Sequence, residues 1–164
     1  MNCWKLWWQD GVTWLLNSPK ESLASILADN GYDVWIANTR GTKYSKKHES
    51  LTPIDQAYWE WSWDELMAYD LTAFVQFVHY NTGNKLHYVG HSLGTLMALA
   101  SFSKNKLLDK IRSAALLCPI AHLGHMTSPL GRTATILDEV FRVLFFRQYG
   151  LYILLTGMVL VRSS

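Results

Sequence analysis

Apolar and polar positions switch between helical and strand-like spacing in a regular order along the chain. Leu23, Ile26 and Leu27 form a stripe at helical spacing. Ser18-Pro19-Lys20-Glu21 precedes it and supplies the serine of an N-cap, a proline for the first helical position and the glutamate of a capping box. Gly31 offers the stop, and Tyr32-Asp33-Val34-Trp35-Ile36-Ala37 then predicts a strand closing on Asn38-Thr39-Arg40-Gly41. Thr42 to Ser62 is polar, aromatic and weakly periodic, and reads as a loop with short turns. Ser62-Trp63-Asp64-Glu65 opens a second capped helix, with Leu66, Tyr69, Ala73, Phe74, Phe77 and Val78 expected to face inward and Gly83 near its end. The apolar run Leu86-His87-Tyr88-Val89 leads into a helix carrying Leu96, Met97, Leu99, Ala100 and Phe102. Arg112 to Pro119 predicts another buried strand, its proline at the limit where a ladder N–H can be spared. Helix and strand thus alternate three times, which predicts an α/β fold: a parallel sheet with helices on both faces.

Past Pro119 the pattern loosens. Residues 120–132 read as a loop leading into helix, and Phe141 to Val161 is strongly apolar but carries Arg142, Arg147 and Gln148. The cleanest run, Tyr149 to Val161, has 13 residues, below the roughly 18–20 needed to span a bilayer. It reads as a buried or displaced amphipathic helix, with contact to a membrane or lipid surface as the competing reading. The expected division is a core over 10–132 and a divergent apolar segment, or the start of a cap, over 133–164.

With 164 residues and 49% apolar composition the chain has enough material for one domain with a real core. The net charge of +2 is small, and Lys104, Lys106, Lys110 and Arg112 are spaced as a solvated face, so no nucleic-acid partner is expected. Cys3 and Cys118 make no disulfide framework, and Cys118, ending an apolar run, reads as a buried small hydrophobe. No C-x-x-C or H-E-x-x-H occurs, and neither metal nor cofactor is called for. The first ten residues lack the apolar core and small-residue cleavage site of a signal peptide, which leaves the compartment open.

The chemistry concentrates in Gly90-His91-Ser92-Leu93-Gly94, which follows the apolar run at 86–89 and opens a helix. This is G-x-S-x-G in the strand, turn, helix setting of a nucleophile elbow. Such a turn brings strand and helix backbones close together, so residues without side chains are required on both sides of the serine, and Gly90 and Gly94 supply them. The turn presents the Ser92 hydroxyl above the sheet and aims the Leu93 backbone N–H at an oxyanion. His91 is adjacent in sequence but reads as packing or support for the elbow. Trp35, Trp59, Trp61 and Trp63 read as core and loop anchors.

From Asp10 to Arg132 the chain resembles the acid lipase family of gastric and lysosomal lipases, and most of all its plant triacylglycerol lipase branch. The resemblance is carried by Asp10-Gly11-Val12-Thr13-Trp14, by Asp33-Val34-Trp35-Ile36-Ala37-Asn38-Thr39-Arg40-Gly41, by Tyr58-Trp59-Glu60-Trp61-Ser62-Trp63-Asp64-Glu65 and by Tyr88-Val89-Gly90-His91-Ser92-Leu93-Gly94-Thr95. It implies a partial α/β hydrolase fold with much of the cap and the later strands missing, cleavage of neutral lipid carboxylic esters, and a secreted, lysosomal or vacuolar setting. Ser92 then corresponds to the nucleophile and Leu93 to the residue whose N–H makes half of the oxyanion hole.

Two departures from the family pattern bear on activity. The family carries His-Gly-Leu just before the region matching Asp10-Gly11, and its third residue supplies the other oxyanion N–H; Lys5, Leu6 and Trp7 stand there in this chain. The family also places its catalytic aspartate and histidine far beyond the elbow, whereas 72 of the 164 residues follow Ser92. Asp109, Asp138, Glu139, His122 and His125 lie downstream without a matching role. A missing base forfeits roughly 10²–10⁴-fold, and a missing oxyanion donor about 10²–10³-fold more. The expectation is an incomplete lipase with little turnover of its own, set against a non-catalytic lipid-binding or membrane-associated protein.

Overall fold

The computed structural model describes residues 8–9, 11–119, 121 and 154–163. A two-residue strand β1 (Trp8–Gln9) and a 3₁₀ turn (Gly11–Leu15) lead to helix α1 (Leu23–Asp29) and strand β2 (Tyr32–Ala37). A loop with a second 3₁₀ turn (Gln56–Trp59) reaches a helical stretch built of α2 (Trp63–Glu65), a π-helical segment (Leu66–Leu71) and α3 (Thr72–Thr82). Strand β3 (Leu86–Ser92), helix α4 (Leu93–Ser103) and strand β4 (Ile111–Leu117) follow, and β5 (Leu154–Ser163) closes the described chain.

The alternation read from the sequence is present, and the helices do cover both faces of the sheet. On one face Leu66, Leu71, Val75, Val78, Met97 and Ala98 pack with Leu86 and Tyr88 of β3. On the other, Leu23 and Leu27 of α1, with Trp14, pack on Val34, Ile36 and Val89. β3 and β4 are parallel. β5 is antiparallel to both β2 and β3, which makes β2 parallel to β3 and the sheet mixed.

β5 corrects the helical reading of Tyr149–Val161 over residues 154–161; residues 149–153 lie outside the described residues. Residues 154–161 are strand, and Met158, Val159, Leu160 and Val161 are 0–2% exposed. Met158 and Leu160 face the α3/α4 side while Val159 and Val161 face α1, the period-two division that a strand buried on both faces requires. A continuous apolar run does not by itself distinguish a buried strand from a buried helix. The open ladder edges of β2 and β3 make the choice.

The capping box read at Ser62–Glu65 is formed: Glu65 Oε2 accepts from the Ser62 backbone N–H at 2.6 Å and from Ser62 Oγ at 2.8 Å. The pair Ser18–Glu21 is bonded as well, at 2.9 Å, but it closes a turn, and the helix begins one turn later with Ser22 as its N-cap. Gly31 stops that helix at φ 83°. Along the second helix the inward positions are shifted. Leu66 and Val78 are buried as read, yet Tyr69 and Phe77 are 64% and 60% exposed, while Met67, Asp70, Leu71 and Val75 take the inner face. A π turn holds more residues than an α turn, so every position after it is rotated from the 3.6-residue pattern.

β4 starts one residue earlier and ends two residues earlier than expected and is mostly exposed, and Cys118 is exposed and free. Both differ from the expected buried strand and buried thiol: among the described residues, Ile111 and Leu116 are the β4 side chains packed against the core. Lys104, Lys106 and Arg112 are solvent-facing, as their spacing suggested. Of the four tryptophans expected to be core and loop anchors, Trp59 is buried, Trp35 and Trp61 are half-buried and Trp63 is exposed. No helix among the described residues is long and apolar enough to cross a membrane.

Candidate active site

Strand β3 ends in a backbone bend at its last residue, Ser92. Ser92 adopts φ 53° and ψ −115°, a conformation that costs a non-glycine residue about 1–3 kcal/mol and persists only where its surroundings impose it. Those surroundings are visible. A Cβ on Gly90 would stand 2.7 Å from Tyr88 Cε1 and 3.0 Å from the carbonyl carbon and oxygen of Gly94, so strand and helix backbones meet where no side chain fits. The Tyr88 hydroxyl donates to the Gly94 carbonyl at 2.6 Å and the Thr95 hydroxyl to the Ser92 carbonyl at 2.6 Å, both bonds buried. Burial pushes the Tyr88 phenol far above its ordinary range, so it is a permanent donor.

The strand carrying this bend is held on both edges. Gly90 lies opposite Leu116 of β4 and Met158 of β5, and Ser92 lies opposite Thr156. Leu93 is the first residue of α4, where backbone N–H groups have no partner within the helix. Ser92 itself is 8% exposed. β1 pairs with Leu154–Leu155, the part of β5 that runs past Ser92, so Trp8–Gln9 lies at the same end of the sheet. Gly11 ties the next turn down by donating its N–H to Asn38 Oδ1 at 2.8 Å, just beyond the end of β2. Lys5, Leu6 and Trp7 fall outside the described residues.

Three of the described histidines are engaged away from the bend. His48 Nδ1 accepts from the backbone N–H groups of Ser50 and Leu51, His79 bonds the Asn84 carbonyl, and His87 bonds Ser113 at 2.7 Å across the β3–β4 pair. His91, half-buried, alternates to the face of β3 opposite Gly90 and Ser92. His122, His125, Asp138 and Glu139 lie outside the described residues, and Asp109 pairs with Lys110. No set of side chains able to hold a metal ion occurs among the described residues.

Sequence reading passed over Asp70. The π segment turns it inward, where Oδ2 accepts from the Arg40 backbone N–H at 2.8 Å and Oδ1 from Arg40 Nε at 2.7 Å. This clamps the loop after β2 to the second helix. Gly41 then turns at φ 81°, and a Cβ there would meet Trp59 and Trp61 at 2.9 and 3.0 Å. A cavity of about 560 Å³ opens beside the clamp, lined among others by Asn38, Arg40, His48, Tyr58 and Trp61; Ser92 does not line it. Tyr88 and Thr95 were also unread. Their signal was the strand alternation that sets Tyr88 on the Gly90 face, and the three-residue spacing from Ser92 to Thr95.

Fold and bend together define an α/β hydrolase, and residues 13–147 match the profile of the α/β hydrolase fold; the chain belongs to that family. It is 50% identical over 143 residues to triacylglycerol lipase 2 of Arabidopsis thaliana, covering 86% of this chain and 34% of that protein. It is 44% identical over 134 residues to human lipase member K, covering 80% of this chain and 34% of the relative. With the gastric triacylglycerol lipase of Rattus norvegicus it shares 41% over 136 residues, 82% of this chain and 34% of the relative. The chain therefore spans about a third of the length of these relatives.

Proposed function

We propose that the chain carries the nucleophile portion of a serine hydrolase acting on neutral lipid carboxylic esters of the triacylglycerol type. Ser92 Oγ attacks the ester carbonyl carbon as it gives up its proton, the carbonyl oxygen takes the negative charge, and collapse expels the alkoxide, which takes up that proton and leaves as the alcohol; water then cleaves the acyl-enzyme to the free acid. The Leu93 backbone N–H donates to the developing oxyanion, with Gly90 and Gly94 holding the turn and His91 supporting it. The observation that carries this reading is the strained backbone of Ser92 held between two strands and a helix. Core residues 10–132 carry the elbow, and strand β5, from the divergent segment 133–164, completes the sheet that holds it.

Turnover by the 164-residue chain alone is proposed to be weak. Among the described residues no side chain is hydrogen-bonded to Ser92 Oγ, and a serine without a positioned base loses roughly 10²–10⁴-fold. The competing lipid-surface reading drew on the apolar run at 149–161; the burial of Met158–Val161 inside the sheet supports the hydrolase reading over it. Hydrolysis of a short-chain p-nitrophenyl ester by the purified chain tests the proposal. Slow turnover that disappears in Ser92→Ala supports it. Turnover that survives Ser92→Ala overturns it, as does the absence of both turnover and fluorophosphonate capture at Ser92 after prolonged incubation.

A further inference from the structure

Among the described strands, β1 and β2 pair with β5 alone, and β4 pairs with β3 alone. Among the described strands β5 is thus the one that joins the two parts of the sheet. The parallel strands β2 and β3 stand one strand apart with a slot between them. Tyr32–Ala37 pair with Ser163–Met158 on one side of that slot, and His87–Ser92 pair with Val161–Thr156 on the other, six residues in each case. Empty, the slot would leave two rows of backbone N–H and C=O groups unpaired inside the core, a cost that folded proteins avoid. The side chains of β5 also serve both cores: Met158 and Leu160 complete the cluster under α3 and α4, and Val159 and Val161 complete the one under α1.

The origin of this strand sets it apart. β2, β3 and β4 run in one direction, as helix-connected strands of a parallel sheet do, and all three lie within the family-matched residues 13–147. β5 runs the opposite way and lies beyond that stretch. We propose that residues 154–163 are a sheet-closing strap: an apolar strand, supplied by the same chain from outside the family-matched stretch, that docks in the slot and holds β1, β2 and α1 onto the elbow strand. Its Thr156–Met158 stretch pairs with Gly90–Ser92, so the strap also braces the bend on the edge opposite β4. The Val159 and Val161 side chains suit this role, being β-branched and placed two apart on one face.

Paired cysteines test the strap in the full chain. In a Cys3→Ser, Cys118→Ser background, Trp35→Cys with Leu160→Cys and, separately, Ile36→Cys with Val159→Cys place thiols at successive register pairs, which alternate between the two antiparallel pair geometries. At least one pair is expected to close a disulfide within a single chain under mild oxidation, while Ile36→Cys with Ser113→Cys stays reduced. In the unsubstituted chain the Val159–Val161 amides are expected to exchange at least about 100-fold more slowly than those of the exposed loop at 46–50. Failure of both pairs to close, or loop-like exchange at 159–161, overturns the proposal. Mixing the Ile36→Cys and Val159→Cys single variants decides the in-chain origin: a disulfide between chains as the main product shows a strap donated by a second copy and overturns it.

Discussion

Gly90 and Gly94 approach so closely that a methyl group on the first would lie 3.0 Å from the carbonyl carbon and oxygen of the second. This contact joins the end of a strand to the first turn of a helix, and the buried Tyr88 hydroxyl bonded to the Gly94 carbonyl leaves that carbonyl little room to retreat. Gly90→Ala is therefore expected to cost about 1–3 kcal/mol through overpacking, read as a lowered urea midpoint, and to remove whatever ester turnover Ser92 supports. Gly83 is the contrasting case. It caps α3 at φ 67° with open space where a Cβ would go, so Gly83→Ala is expected to cost only about 1 kcal/mol and to leave turnover unchanged.

The Arg40–Asp70 clamp is expected to matter more than an ordinary surface ion pair. Asp70 is 9% exposed and accepts from both the Arg40 backbone and its guanidinium, so truncation orphans a half-buried cation and a backbone N–H together. Asp70→Ala should cost about 2–3 kcal/mol, whereas an exposed pair yields at most about 1 kcal/mol. Urea unfolding of Asp70→Ala, Arg40→Ala and the double variant checks this. The expected sign is a double variant less destabilised than the sum of the two singles.

Acid should weaken two exposed turns. Bonds from the Ser62 backbone and hydroxyl hold the Glu65 carboxyl below its ordinary range, and bonds from the Thr52 backbone and hydroxyl do the same for Asp55. A group whose folded pKa lies below its unfolded one adds stability above the unfolded value and loses it as pH falls through the folded one. The stability gap between the parent chain and Glu65→Gln with Asp55→Asn is therefore expected to narrow as pH drops from about 6 to about 3, since ordinary carboxylates titrate near about 4. Urea midpoints across that interval measure it, and a gap independent of pH contradicts the account.

Much of the site was legible because its signals are short-range. G-x-S-x-G after an apolar run specifies a bend through the absence of two side chains, and the capping box at Ser62–Glu65 specifies a helix start through bonds spanning three residues. Less legible were the features that depend on a distant partner. Asp70 carried no pattern of its own, because its inward turn comes from a π segment and its partner stands thirty residues earlier. His87 is one polar residue in an apolar run, and its partner Ser113 lies across the strand pair, 26 residues away.

The amino-acid order alone determined the alternation of helix and strand, the location and shape of the bend at Ser92, and the kinship with lipases. Each of these is encoded in side chains a few residues apart, where chain geometry leaves few alternatives. Tertiary structure decided that residues 154–163 are a strand in the middle of the sheet, that β4 is left exposed, and which residues of the second helix face inward. Those outcomes depend on which ladder edges stand open and which core surfaces remain to be covered. An apolar segment takes the conformation that satisfies its neighbours' backbone groups, and those neighbours are brought to it only by the fold.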